Sequence, residues 1–339
     1  MIKTSGKQRN FLIDHVKLLA SYFVVFIHCV FPGDFGIAVK AIARFAVPFF
    51  FLCSGYFMYG DTSARICKKM RHIMGLFLVT SVLYIFADVG AFVLSRDLSG
   101  IYNYLHRYRR SEVLWEFVLF NVPVACSHLW YLLGMIYVYG IYWLFEKYKP
   151  SDRFIGISAV VLLALHLILW HGLITFKITD QTFYVRNFLF VGYPFVSQGF
   201  LLRKYQHKIP KLKGSTVLLL VGAGCICSVM SRFAFGNKSL PFGAILISVV
   251  LMLVCITAPQ PEKPVIRDAG KYSTYIYLFH PLIQRGYLAW FAAETANRLF
   301  LDFAPVFVCI LSTVFAVLCT CVHRIIPNVY RKTRANGNA

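Results

Sequence analysis

The chain has 339 residues, of which 58% are hydrophobic and 14% charged, and its formal net charge is +21. Soluble domains carry about 25% charged residues, so a soluble globular enzyme is excluded. Apolar runs that are continuous rather than alternating exclude a porin-type barrel, and the placement of the charges excludes a soluble nucleic-acid binder.

Apolar blocks bounded by charges, Gly and Pro predict an all-α polytopic membrane bundle of about ten transmembrane helices. They lie at 15-32, 37-59, 73-95, 128-146, 154-170, 183-202, 215-233, 241-258, 272-293 and 304-324. A block of about 20 residues, rising about 1.5 Å each, matches a hydrocarbon core of about 30 Å. With the N-terminus inside, 23 of the 35 lysines and arginines fall on inner segments. The positive-inside rule therefore places both termini in the cytoplasm, and it explains most of the basic excess without a nucleic-acid partner. The expected organisation is a cytoplasmic N-terminal segment at 1-14, a transmembrane domain at 15-325 and a basic cytoplasmic tail at 326-339.

The first apolar run contains Lys17 and His28 and lacks a small-x-small exit, so it reads as a retained span rather than a cleaved signal. Between the third and fourth spans, the run from His106 to Arg110 reads either as an interfacial helix of the outer leaflet or as an acceptor-binding surface. The ten cysteines scatter through the spans, and Cys225 with Cys227 and Cys319 with Cys321 are two apart, on different helix faces. Neither spacing suits zinc or redox chemistry, so the cysteines read as small apolar residues and no metal site is expected.

An ionisable side chain within a span costs several kcal/mol unless it faces a polar interior, which makes each one a functional candidate. These are Lys17, His28, Arg44, Asp88, His128, His166, Arg186 and His280. Lys17 and His28 lie 11 positions apart, close to three turns, so they share a helix face about 16 Å apart. With Lys17 at the inner interface, His28 reaches the bilayer midplane, where an imidazole suits a general base. His280, eight residues into a span starting near Tyr272, reaches similar depth; a shared polar cavity and separate helix-helix hydrogen bonds are both open. Pro48, one turn inside the span after Arg44, is expected to free a backbone carbonyl. Arg186 reads as a second buried cation or as an interfacial residue, Asp88 as a counter-ion and His166 as structural. On the inner side Arg65, Lys68, Lys69 and Arg71 with His72 form a cluster, read as plain topology or as a clamp for donor phosphates. A transporter for an anionic solute would present much the same features.

Several strings in order resemble the acyltransferase-3 family of integral membrane acyltransferases. They are Arg9 through Asp14, Lys17 to His28, Arg44 through Phe51 with Ser54-Gly55-Tyr56, His128-Leu129-Trp130, Arg186-Asn187-Phe188, and Tyr272 through Pro281. The likeness covers roughly residues 9 to 325. Two positions depart from the family pattern: its first-span arginine is Lys17, and its Arg-x-x-Arg between spans two and three appears as Lys68-x-x-Arg71 or Lys69-x-x-His72. Lysine keeps the charge and loses the bidentate fork.

The resemblance implies transfer of an acyl group, most often acetyl, from cytoplasmic acyl-CoA to a hydroxyl of a saccharide or lipid-linked sugar of the cell envelope. The enzyme would be a multi-pass protein of the cytoplasmic membrane, with acyl-CoA as co-substrate and no bound cofactor. His28 would be catalytic, as base or acyl carrier; Lys17, Arg65, Lys68, Lys69 and Arg71 would hold the donor; Arg44 would stabilise the oxyanion or position the acceptor. Asp14, Ser54, His128, Trp130, Arg186 and His280 are further site candidates. The chain is expected to lack the extracytoplasmic transfer domain fused to some members. The competing class is a transporter or exporter, because relatives of the fold occur as membrane domains of antibiotic-resistance racemases.

Overall fold

The computed structural model describes residues 9–176, 184–235, 240–292 and 298–336. Those residues form helices and no strand. Helix α1 (Phe11–His28) starts where the Asn10 side chain accepts from the Ile13 amide at 2.9 Å, satisfying one of the amides that a helix start leaves open. It ends on His28, and an extended Cys29 leads through Pro32 into α2 (Gly33–Ala43). Arg44 and Phe45 form a turn before α3 (Ala46–Met58). The second expected span is thus two helices. Pro48 falls in the first turn of α3, where its missing N–H was never needed, so it frees no carbonyl deep in a helix.

Helix α4 (Ser63–Leu94) is followed by the short α5 (Leu98–His106) and α6 (Ser111–Phe120), which fill the long third connection. After α7 (Trp130–Tyr148) and α8 (Asp152–Thr175), the sixth expected span is interrupted: a π-helical turn at Phe188–Gly192 precedes α9 (Tyr193–Lys204). Helices α10 (Gly214–Phe235), α11 (Phe242–Thr257), α12 (Ala269–Ala292), α13 (Arg298–Asp302) and α14 (Ala304–Asn336) complete the chain.

Seven helical stretches among the described residues are long and apolar enough to cross a membrane, rather than ten. The three that fall short follow from their sequences. Helix α9 is shortened by the π turn, α11 is apolar but has 16 residues, and α12 is long but carries Lys271, His280, Gln284, Arg285 and several tyrosines. Apolar side chains along α4, α8, α10 and α14, such as Phe86, Ile168, Leu218 and Leu318, are exposed in rows that suit lipid contact.

Close backbone approach joins the central helices. A Cβ added to Gly55 on α3 would lie 1.9 Å from the Val196 carbonyl oxygen of α9, and one on Gly199 would lie 2.0 Å from that of Leu52. Each helix therefore presents its glycine to the other's backbone, the small-residue packing that membrane bundles use in place of a hydrophobic drive. Around this seam lies an aromatic core that includes Phe49, Phe51, Phe195 and Tyr84, all fully buried. One end of the bundle collects basic residues and ion pairs: Arg9 with Asp14, Lys69 with Asp61 at 2.6 Å, Lys204 with Asp152 and Arg324 with Asp268. We call this the basic end.

Candidate active site

Three imidazoles meet where α1 ends. The His28 ring centroid is 5.3 Å from that of His280 and 6.3 Å from that of His128, and the latter two are 5.3 Å apart. They come from the last residue of α1, the middle of α12 and a 3₁₀ turn (Ser127–Leu129) before α7. They line or adjoin a cavity of about 100 Å³ whose wall includes His28, Arg44, His128, Trp130, Arg186 and Tyr277. Among the described residues no group of three or more His, Cys, Asp or Glu is arranged to hold a metal ion.

The hydrogen bonds separate the three histidines. His128 Nε2 donates to the Leu278 carbonyl at 3.3 Å, which leaves Nδ1 to accept from the Cys126 thiol at 3.0 Å. Both nitrogens are engaged. His280 Nδ1 donates to the carbonyls of Ile276 and Tyr277, each at 3.0 Å, and its buried Nε2 is a lone pair without a partner among the described residues. His28 makes no side-chain hydrogen bond to a described residue, and although helices surround it, it remains exposed on the cavity it lines. The chemistry follows from this division: His128 is a wall, His28 has a nitrogen available to a reactant, and His280 can accept an N–H from His28 and so fix its tautomer.

Local structure holds the cations opposite. Asn121, in the left-handed region with φ of 49°, accepts from the Phe188 amide at 2.7 Å and donates to the Trp130 carbonyl at 3.0 Å. Asn187 caps the π turn by accepting from the amides of Leu189 and Phe190. His166 holds the Val185 carbonyl at 2.8 Å, which is the structural role expected of it. Arg186 is thereby fixed between pinned neighbours, its guanidinium 5.4 Å from the Trp130 ring centre. Such π turns recur where a backbone is shaped for function rather than for stability.

A second cavity, about 220 Å³, lies toward the basic end and is lined by Lys17, Phe50, Ser54, Lys69, His72 and Tyr131. It adjoins an open depression of about 620 Å³ with Arg65, Lys68, Lys69 and His72 on its wall. Between it and the histidine cavity stand three rings in mutual contact: Phe50 and Tyr131 face the one, Tyr277 the other, with centroids 5.6 to 6.2 Å apart. Tyr277 donates to the His128 carbonyl, and Tyr131 shares a hydrogen bond with Ser54 at 3.1 Å.

The expected residues thus divide. His28, Arg44, His128, Trp130 and Arg186 meet at one cavity with His280 behind it, while Lys17 and Ser54 share the other with Lys69. Arg71 is absent from both walls, and His72 takes its place, so Lys69-x-x-His72 is the pair that faces the space. Asp14 is held by Arg9 at 2.7 Å at the start of α1 and enters neither cavity. Asp88 is a counter-ion, paired with Arg285. Sequence reasoning missed Tyr277, Tyr131 and Asn121. The first was within reach, since it lies one turn before His280 on the same helix.

Comparison with known proteins completes the picture. No solved structure matches the chain. A serine/alanine racemase of Enterococcus gallinarum is 23% identical over 300 residues, covering 80% of this chain, which spans only 40% of that relative's length. The family model described as an acyltransferase domain matches residues 10–323. Nearly the whole chain is covered, and the protein belongs to the acyltransferase-3 family of membrane acyltransferases.

Proposed function

We propose that the protein transfers an acyl group, acetyl in the simplest case, from acyl-CoA bound at the basic end to a hydroxyl of a saccharide or lipid-linked sugar in the histidine cavity. The observation that carries this reading is the unengaged imidazole of His28, set between His280 and two arginines on a cavity wall. In this scheme Arg65, Lys68 and Lys69 attract the donor's phosphates in the open depression. The pantetheine arm then enters past Lys17 and Ser54 toward the aromatic rings.

His28 takes the proton of the acceptor hydroxyl, and the oxygen attacks the thioester carbonyl. Arg44 stabilises the tetrahedral oxyanion. Collapse breaks the carbon–sulfur bond, and the proton on His28 passes to the leaving thiolate. A variant of the scheme places the acyl group on His28 before the acceptor arrives. In either version His280, anchored through Nδ1–H to the Ile276 and Tyr277 carbonyls, orients the reacting ring. Entry of the donor at the basic end fits the positive-inside rule with that end cytoplasmic, and a multi-pass place in the cytoplasmic membrane follows.

The test is transfer from radiolabelled acetyl-CoA to glycolipid and polymer fractions of expressing membranes. Wild-type membranes are expected to label one fraction, and His28→Ala membranes none at normal protein abundance. Wild-type turnover in His28→Ala would remove the assigned role. No label in either, together with uptake of a small anionic solute into vesicles, would favour a transporter on the same bundle.

A further inference from the structure

Four cations converge on the His28 side of the bundle, away from the basic end. Arg44 and Arg186 line the histidine cavity itself. Arg44 lies within electrostatic reach of both Arg186 and Arg232, Lys40 within reach of Arg44 and Arg232, and His28 within reach of Arg186 and Lys40. Helix α10, which carries Arg232, packs on α2, which carries Lys40. The Nε atoms of Arg186 and Arg232 are buried without a hydrogen-bond partner among the described residues. No described carboxylate lines the cavity.

Several other cations of the bundle meet acids, Arg285 with Asp88, Lys69 with Asp61, Lys204 with Asp152 and Arg324 with Asp268, whereas no described carboxylate pairs with Arg186 or Arg232. Like charges gathered inside a bundle repel one another in a medium of low dielectric, and each is costly to bury. Topology offers no reason for them, because the positive-inside rule concentrates cations at the other end. Two buried guanidinium groups, Arg186 and Arg232, whose Nε atoms have no partner among the described residues, are the usual complement of a phosphate or carboxylate, and Arg44 stands beside Arg186 on the cavity wall.

We infer that the acceptor carries a negative charge, as a phosphate or a carboxylate, close to the hydroxyl that is acylated, and that Lys40, Arg44, Arg186 and Arg232 read it. This rests on the acyltransferase reading and narrows its acceptor. Two sources supply that chemistry: a diphosphate linking the sugar to a lipid, or an acidic sugar. The anion would also bring the hydroxyl to the cation wall that faces His28, so recognition and positioning are one event.

The experiment compares three acceptors with one labelled donor and purified protein: an alkyl glucoside, an alkyl glucuronide, and a glycosyl diphosphate on a short isoprenyl chain. Wild type is expected to favour a charged acceptor over the glucoside by about tenfold or more in kcat/KM, as loss of one charge-assisted hydrogen bond would give. Preference for the diphosphate or for the glucuronide identifies the source. Arg232→Gln should raise KM for the charged acceptor and narrow the gap to the glucoside, and Arg232→Lys should restore much of it. Equal use of charged and neutral acceptors overturns the inference and leaves the acyltransferase reading intact.

A second measurement needs no turnover. Inorganic diphosphate should raise the melting temperature of the detergent-purified wild type and do so less for Arg186→Gln and Arg232→Gln. Absence of any stabilisation by diphosphate or glucuronate overturns the inference, as does stabilisation that appears only with anionic phospholipid vesicles. If diphosphate stabilises the protein but no acceptor is ever acylated, the anion site stands and the acyltransferase reading falls.

Discussion

At the scale of single residues, the site depends on how each imidazole spends its two nitrogens. His128 uses both on Leu278 and Cys126, so His128→Gln should slow transfer less than His28→Ala, and labelled transfer from the two variants ranks them. His280 acts through His28. His280→Ala is expected to lower kcat by about tenfold to a hundredfold, to leave the donor KM unchanged and to shift the pH profile. A rise in donor KM with the same profile would make it a packing residue. Lys17 presents an ammonium to the inner cavity without an ion pair to a described residue. Lys17→Arg should keep donor use, and Lys17→Ala should raise donor KM; an unchanged KM in Lys17→Ala removes it from the site.

These residues were legible because charge is expensive inside a bundle. Lys17, His28, Arg44, Arg186 and His280 stand out against apolar neighbours in the sequence, whereas Tyr277 and Tyr131 are lost among 20 tyrosines. Asn121 was not legible at all: its work is to tie Phe188, 67 positions away, to Trp130. A single sequence without pairing information does not announce such closures.

At the scale of elements, hydropathy located apolar segments but not their hydrogen-bond register. It joined α2 to α3 across the Arg44–Phe45 turn and ran one helix through the π turn at Phe188–Gly192. Both breaks fall beside the cavity, where a continuous helix would aim Arg44 and Arg186 elsewhere. The π turn supplies a test. Asn121→Ala removes an acceptor from the Phe188 amide and should reduce transfer through acceptor KM, with protein abundance preserved; loss of abundance would show a purely structural role. The seam of α3 and α9 supplies another. Gly55→Val or Gly199→Val places carbons where carbonyl oxygens already sit, at 1.9 and 2.0 Å, and should abolish folded protein, read as loss of a monodisperse peak on size exclusion in detergent. Gly75→Val, on α4 with open space around its Cβ position, should leave it normal.

At the scale of the whole molecule, the chain has two cavities at separate depths, which the proposed function assigns to donor and acceptor. Lys17, Arg65, Lys68, Lys69 and His72 gather at one end, His28, His128, His280, Arg44 and Arg186 at the other, and α1 joins them by carrying Lys17 and His28 on one face about 16 Å apart. That single-helix spacing was the most informative feature of the sequence, because helix geometry converts it to a distance without any knowledge of the fold. What lies between the compartments could not be read. Phe50, Tyr131 and Tyr277 belong to three helices, and their meeting is a result of packing alone.

Those three rings also bear on permeability. An enzyme that takes its donor from one face of a membrane and serves an acceptor on the other risks becoming a leak, since any continuous water path would dissipate the proton gradient of the cell. Three rings in tilted or edge-to-face contact stand between the two cavities, and the proposed scheme needs them to rotate aside for the thioester and to close again behind it. Vesicles bearing the wild type should therefore hold an imposed pH gradient as long as protein-free vesicles do. Phe50→Gly should discharge it, and the harm to a growing cell would come from lost membrane energy before any lack of product was felt.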